Sequence, residues 1–219
     1  MDKIMTKDNI LLIHSILGII VFTTGLLQIL LKKGGTTHKI IGQVYLYAWL
    51  VLLISGAYLG GLLITIIGVF GFYFALTGSR IGNLKSKPIT LFEKIVFSVG
   101  GLVAVSMIYY AITLFLKGEK SYSIIFTVFG GLFLFQTVQD ISKYILDKPL
   151  KKQIYGKSDW YFEHFTRMCI SFIAAVTAFT SIQNFLKNNT LNFLMPTVVG
   201  IVLINIATKS YKKKLKTGE

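Results

Sequence analysis

Forty consecutive positions, residues 40–79, carry no Asp, Glu, Lys or Arg. As one helix they would extend about 60 Å at ~1.5 Å per residue, twice the ~30 Å of a bilayer's hydrocarbon core. Such a stretch must cross, turn and cross back, and Gly60-Gly61 is the natural place to turn. Five further apolar runs are each long enough for one crossing, giving seven spans at about 10–31, 40–59, 61–79, 94–116, 122–140, 161–184 and 191–208. The fold class expected is all-α: one transmembrane domain over residues 1–219, an integral bundle of seven helices. Residues 209–219 read as a basic cytoplasmic tail. The run Ile10–Leu31 is longer than the ~7–15-residue core of a signal peptide, and no A-x-A-like site follows it, so it reads as a retained helix.

Composition agrees with this and excludes other classes. Charged residues make up 15% of the chain and hydrophobic residues 53%, and the mean hydropathy is +0.67. A soluble surface ordinarily takes about 25% charged residues, which argues against a soluble enzyme, a secreted disulfide domain or a disordered tail. The net charge of +14, from 23 Lys+Arg against 9 Asp+Glu, would suit a nucleic-acid binder, but the apolar runs would not. The single cysteine, Cys169, rules out an intramolecular disulfide or a Cys-based zinc site and reads as a packing residue.

The charge has a simpler meaning once it is placed on the loops. Lys32, Lys33 and Lys39, then Arg80, Lys85, Lys87 and Lys94, then Lys143, Lys148, Lys151, Lys152 and Lys157, and finally Lys209, Lys212, Lys213, Lys214 and Lys216 all fall on one side, 17 of the 23 basic residues. The positive-inside rule then predicts a cytoplasmic (inner) membrane protein with its N-terminus outside and its C-terminus in the cytoplasm. The partner expected is a bilayer with anionic lipids, not nucleic acid. Trp160, Tyr161 and Tyr211 stand where interfacial anchors belong, and Asp159 reads as an N-cap. Gly56-x-x-x-Gly60, Gly71-x-x-x-Ala75 and Ala174-x-x-x-Ala178 read as seams for close helix approach.

The outer thirds of the chain also resemble one another. His38, Ala48 and Ser55 recur as His164, Ala174 and Ser181 at one offset of 126 residues, and Thr65, Gly68 and Ala75 recur as Thr197, Gly200 and Ala207 at an offset of 132. This suggests two parallel three-helix repeats joined by helix 4, an arrangement found in transporters.

Arg167 is the one basic residue inside a span, where insertion costs about 2.5–3.5 kcal/mol, and such a residue is a functional candidate by default. Glu163, one turn before it, is the expected partner. His164 borders the same face, and Asp140 ends the fifth span at the same expected depth. His38, Gln28 and Gln136 fall in the same cytoplasmic half, so these seven residues form one candidate polar cluster. The alternative is a set of interfacial residues, with Arg167 snorkelling. His14 stands apart near the outer end of the first span and reads as structural.

His14-x-x-x-Gly18, Gly25-Leu-Leu-Gln28, a Lys/Gly-rich loop and His38-Lys-Ile-Ile-Gly42-Gln-Val-Tyr45 resemble the H…G…Q…H-R-x-x-G-R-x-Y signature of a family of uncharacterised bacterial membrane proteins, a domain of unknown function. Glu163-His164-x-x-Arg167-Met168 looks like that family's second signature. Lys39 and Gln43 stand where the family carries Arg. The resemblance implies a multi-pass membrane protein and no activity.

Three functions suit these residues. A b-type haem redox protein would use His38 and His164 as axial ligands, with haem b as cofactor. A small-solute transporter would use the repeats, although the Pro-Gln motif of repeat transporters is absent. A metal-dependent hydrolase would draw on His14, His38, His164, Asp140 and Glu163, although no H-E-x-x-H pair exists and no metal site is assigned. Retinal binding is dismissed, because Lys209 lies at the end of the last span rather than in its middle.

Overall fold

The structure is a computed structural model and describes residues 6–150 and 159–217, with side chains through Tyr211. Its seven α-helices are α1 (Lys7–Leu30), α2 (Thr36–Leu59), α3 (Leu62–Leu84), α4 (Leu91–Leu116), α5 (Lys120–Asp140), α6 (Asp159–Gln183) and α7 (Asn189–Thr217). A π-helical turn, Ile141–Ile145, continues α5. No strand occurs among the described residues. All seven helices are long and apolar enough to cross a membrane. The chain is a multi-pass membrane protein built as an all-α bundle.

Each helix reaches past its apolar run into polar sequence, because terminal backbone groups need partners wherever the apolar stretch stops. Thr6 caps α1, its side chain accepting from the Asn9 amide at 3.3 Å. Thr90 and Glu93 form a capping box on α4. The α2–α3 reversal falls at Gly60 and Gly61, as expected. Asp159 lies in the first turn of α6. The segment read as a basic tail from residue 209 is helical through Thr217, continuing α7. Lys3, Lys151, Lys152 and Lys157, and the side chains of Lys212, Lys213, Lys214 and Lys216, lie outside the described residues.

α3 is the centre of the bundle, with Ile67, Phe70, Tyr73, Phe74 and Ala75 all buried. Phe70 meets Phe129 and Phe133 of α5 edge-on at 5.5 and 5.4 Å between ring centroids, a favoured aromatic geometry. Toward α6, α3 presents three glycines in close approach. A Cβ on Gly71 would stand 2.9 Å from the Ala174 Cβ, one on Gly78 would stand 3.0 Å from the Arg167 Cβ, and one on Gly82 would stand 2.6 Å from His164 Nδ1. The seam predicted at Gly71 therefore runs on through Gly78 and Gly82, and this closeness is what brings the polar residues of α6 against α3. Leu102, Tyr109 and Leu116 of α4 and Val198, Val202 and Ile206 of α7 face outward, the apolar exterior that lipid requires.

Glu93 fixes the α3–α4 corner. It is 2% exposed, accepts from the Thr90 amide at 2.7 Å and pairs with Arg80 Nε at 2.5 Å. Arg80 is more than a third exposed, so the ion pair itself contributes little. Glu93→Ala, which removes the cap, is expected to cost about 1–2 kcal/mol. Glu93→Gln, which keeps an acceptor for the amide, should stay close to the parent, and melting of the detergent-solubilised variants checks the difference.

The 126-residue correspondence becomes contact in three dimensions: His38 touches His164 and Tyr45 bonds Ser171. The two helices differ in their neighbours. Among the described residues the α2 backbone comes close to α1 and α3, whereas the α6 backbone comes close to α1, α3 and α7.

Candidate functional site

α5 delivers Asp140 to the interior just where its ladder changes from α to π; the Leu146 amide bonds the Ile141 carbonyl five residues back at 3.0 Å. π turns of this kind are frequent at functional sites. Arg167 of α6 meets Asp140 with two nitrogens. Its NH2 bonds Oδ1 and its NH1 reaches Oδ2 at 3.1 Å. Both residues are about 2% exposed. The carboxylate is completed by Tyr73, which donates to Oδ2 at 2.7 Å, and by Gln136, which donates to Oδ1 at 3.1 Å. Arg167 NH1 also donates to the Thr77 hydroxyl at 2.9 Å, and that hydroxyl donates to the Tyr73 carbonyl at 2.7 Å. The guanidinium carbon lies 5.9 Å from the Phe97 ring centroid, within cation–π range. Such a pair persists in a low-dielectric interior only when its remaining donors and acceptors are also engaged. Here just one nitrogen, Arg167 Nε, is buried with no partner.

Glu163 is not the partner of Arg167. It binds Lys143 Nζ and accepts from the Tyr144 hydroxyl at 2.5 Å, both groups coming from the π turn. The i, i+4 spacing permitted a bond within α6, but a closer carboxylate from α5 takes the guanidinium. Tyr144, which binds the half-buried Glu163, stacks on Phe97 at 5.4 Å, the ring that also lies against the buried Arg167.

A second group lies at the same end of the bundle. His38, in the first turn of α2, and His164, in the second turn of α6, have ring centroids 6.3 Å apart at an interplanar angle of 73°. His164 Nδ1 donates to the Gly78 carbonyl at 2.8 Å. In the neutral ring this leaves Nε2 as the bare nitrogen. His38 Nδ1 is buried with no hydrogen-bond partner. Gln28 Nε2 donates to the His38 carbonyl at 2.7 Å, while its Oε1 is buried and unpartnered. Lys33 closes α1, its ammonium donating to the Gln28 carbonyl at 2.5 Å. One helical turn and more into the bundle, Tyr45 bonds Ser171 at 2.7 Å and accepts from Trp49 at 3.0 Å.

The expected cluster therefore exists as two groups hung on α6. Asp140, Gln136 and Arg167 form one, and His38, Gln28 and His164 form the other, with Glu163 at the rim between them. His14 lies at the far end of the bundle, its Nδ1 2.9 Å from the Ser55 hydroxyl, tying α1 to the last turns of α2. Tyr73, Thr77, Lys143 and Tyr144 were not expected. The signal for the first two was present: they stand four residues apart on one face of α3.

Polar groups continue along α6. Beyond Arg167 the buried face carries Ser171 and Thr177, and Thr177 Oγ1 has no partner. Thr180 then bonds the Asn192 carbonyl at 3.0 Å. Among the described residues, no three His, Cys, Asp or Glu side chains converge in a way that could hold a metal ion. The hydrolase ligand set is dispersed, with Asp140 and Glu163 engaged by cations and His14 at the opposite end.

Neither the family models nor the curated proteins nor the solved structures compared with this chain contain a match to it.

Proposed function

We propose that the chain is a b-type haem-binding redox protein of the cytoplasmic membrane, its lysine-rich end in the cytoplasm and its N-terminus outside. The observation that carries this reading is the pairing of His38 with His164. Two imidazoles from separate helices lie 6.3 Å apart at one depth, one with Nδ1 anchored on a backbone carbonyl and the other with a buried nitrogen that has no partner. A carbonyl bond at one ring nitrogen is the usual device for aiming the other at a metal. If haem binds here, His38 and His164 would hold it through their ring nitrogens. Bound there, haem would supply one-electron transfer within the membrane. The chain's own part is to hold the ligands: Gly78 orients His164, Gln28 fixes the first turn of α2, and the Arg167–Asp140 pair anchors α6 three residues deeper.

Absorbance tests it directly. Protein purified from haem-replete cells is expected to show a Soret band that is lost in His38→Ala and His164→Ala and kept in His14→Ala. Colourless wild-type protein would sink the reading.

The polar face of α6 favours a second reading, a small-solute transporter. From Glu163 to Thr180 it extends about 26 Å at ~1.5 Å per residue, nearly the hydrocarbon thickness, and buried polar residues in spans mark solute and proton paths. In this case proteoliposomes loaded with a pH-sensitive dye should take up protons faster than protein-free vesicles, and Asp140→Asn should abolish the difference. Uptake no faster than in protein-free vesicles, or unchanged by Asp140→Asn, counts against it.

A further inference from the structure

We propose that a pocket at the lysine-rich end, separate from both groups on α6, binds the phosphate headgroup of an anionic phospholipid. The pocket has a volume of about 300 Å³ and lies between the α3–α4 connection, the start of α4 and the π turn. Lys87, Lys94 and Lys143 reach it from these three segments, with the Tyr144 side chain and one carboxylate, Asp147. The lining therefore carries a charge excess of two. Among the described residues Lys87 and Lys94 form no ion pair, so two ammonium groups converge on the cavity with no counter-charge except Asp147. Ammonium groups bind phosphate as point charges, and basic pockets between transmembrane helices on the cytoplasmic side suit phospholipid headgroups.

The surroundings select a lipid over free phosphate. Leu91 is 72% exposed and Ile95 is about half exposed, both in the first two turns of α4, three residues before and one after Lys94 and within about 100° of it around the helix. Leu146, which follows the π turn, is 58% exposed. A charged cavity opening onto an apolar helix face matches a molecule with an anionic head and acyl tails. A soluble phosphate would use the lysines and leave the apolar face idle. Lys143 also holds Glu163, so a headgroup at this pocket shares a cation with the rim of the α6 site.

The test uses the full chain in neutral detergent micelles, titrated with phosphatidic acid and analysed by native mass spectrometry. Wild-type protein is expected to retain one phosphatidic acid in preference to phosphatidylcholine. Lys87→Ala/Lys94→Ala should bind it about thirtyfold more weakly, two lysines at roughly 1 kcal/mol each. A charge-matched control at the opposite end, Lys117→Ala/Lys120→Ala, should bind as wild type does, and the melting temperatures of both variants report that they fold. Leu91→Ser/Ile95→Ser should weaken retention as well, and 1 mM inorganic phosphate should not displace the lipid. Unchanged retention in Lys87→Ala/Lys94→Ala, or equal weakening in the control, overturns the site. Displacement by inorganic phosphate, or no effect of Leu91→Ser/Ile95→Ser, overturns its assignment to a lipid.

Discussion

Arg167→Met is expected to destabilise the bundle by about 3–5 kcal/mol, the cost of leaving one member of a buried ion pair without the other. Asp140 would keep Tyr73 and Gln136 as donors but lose Arg167, the one cation among the described residues that pairs with it, in a site about 2% exposed. Asp140→Leu should do comparable damage, because among the described residues Arg167 would retain only the Thr77 hydroxyl as a hydrogen-bond partner and no counter-charge. The triple variant Asp140→Leu/Arg167→Met/Tyr73→Phe removes the charges and the orphaned phenol together. It should recover to within about 2 kcal/mol of the parent, since apolar replacement of a buried pair is often close to neutral. Thermal melting in detergent separates these cases. A single Arg167→Met variant as stable as the parent would mean that the pair does not hold the bundle.

Gly71→Ala should have the second-largest effect, about 1–3 kcal/mol, through overpacking. Its Cβ would stand 2.5 Å from Trp49 Cη2 and 2.9 Å from the Ala174 Cβ. Neither neighbour has room to yield. Trp49 is 2% exposed and tethered through Tyr45 to Ser171, and the Ala174 methyl is fixed to the α6 backbone. Gly18→Ala is the control: a Cβ there meets nothing within 4 Å, so it should be neutral or stabilising by up to about 1 kcal/mol, the usual helical preference for Ala. Equal melting temperatures for the two variants would contradict the three-helix contact at Gly71.

The helices were legible in the sequence because lipid imposes a length and a polarity on every span, and both are written in the residues themselves. The reversal at Gly60-Gly61 followed from arithmetic on a single uncharged stretch. The glycine seam was partly legible: Gly71-x-x-x-Ala75 is a motif, whereas Gly78 and Gly82 gained meaning only once α6 lay against them. The partner of Arg167 was not legible. Local spacing pointed to Glu163, but nothing in the sequence says that the end of α5 comes closer to the guanidinium than a residue one turn away. The π turn explains why Lys143 and Tyr144 were missed. It places one extra residue in the helical ladder, shifting which side chains face α6, and no periodicity announces such an insertion. Tyr73 and Thr77 were hidden differently, since a tyrosine and a threonine on an apolar helix read as core until an acid and a base are placed beside them.

The Asp140–Arg167 pair also constrains how the chain is made. α5 leaves the ribosome before α6 and carries the acid; α6 follows and carries the base. Alone, each charge opposes entry into lipid by about 2.5–3.5 kcal/mol; together they bind. The two helices make no backbone contact among the described residues, and Tyr73 and Thr77 of α3 bond the two sides of the pair. The earlier-made α3 thus supplies the surface on which α5 and α6 meet. Translation order and the electrostatics of the finished bundle agree: the α3 surface on which the two charges meet is made before either of them.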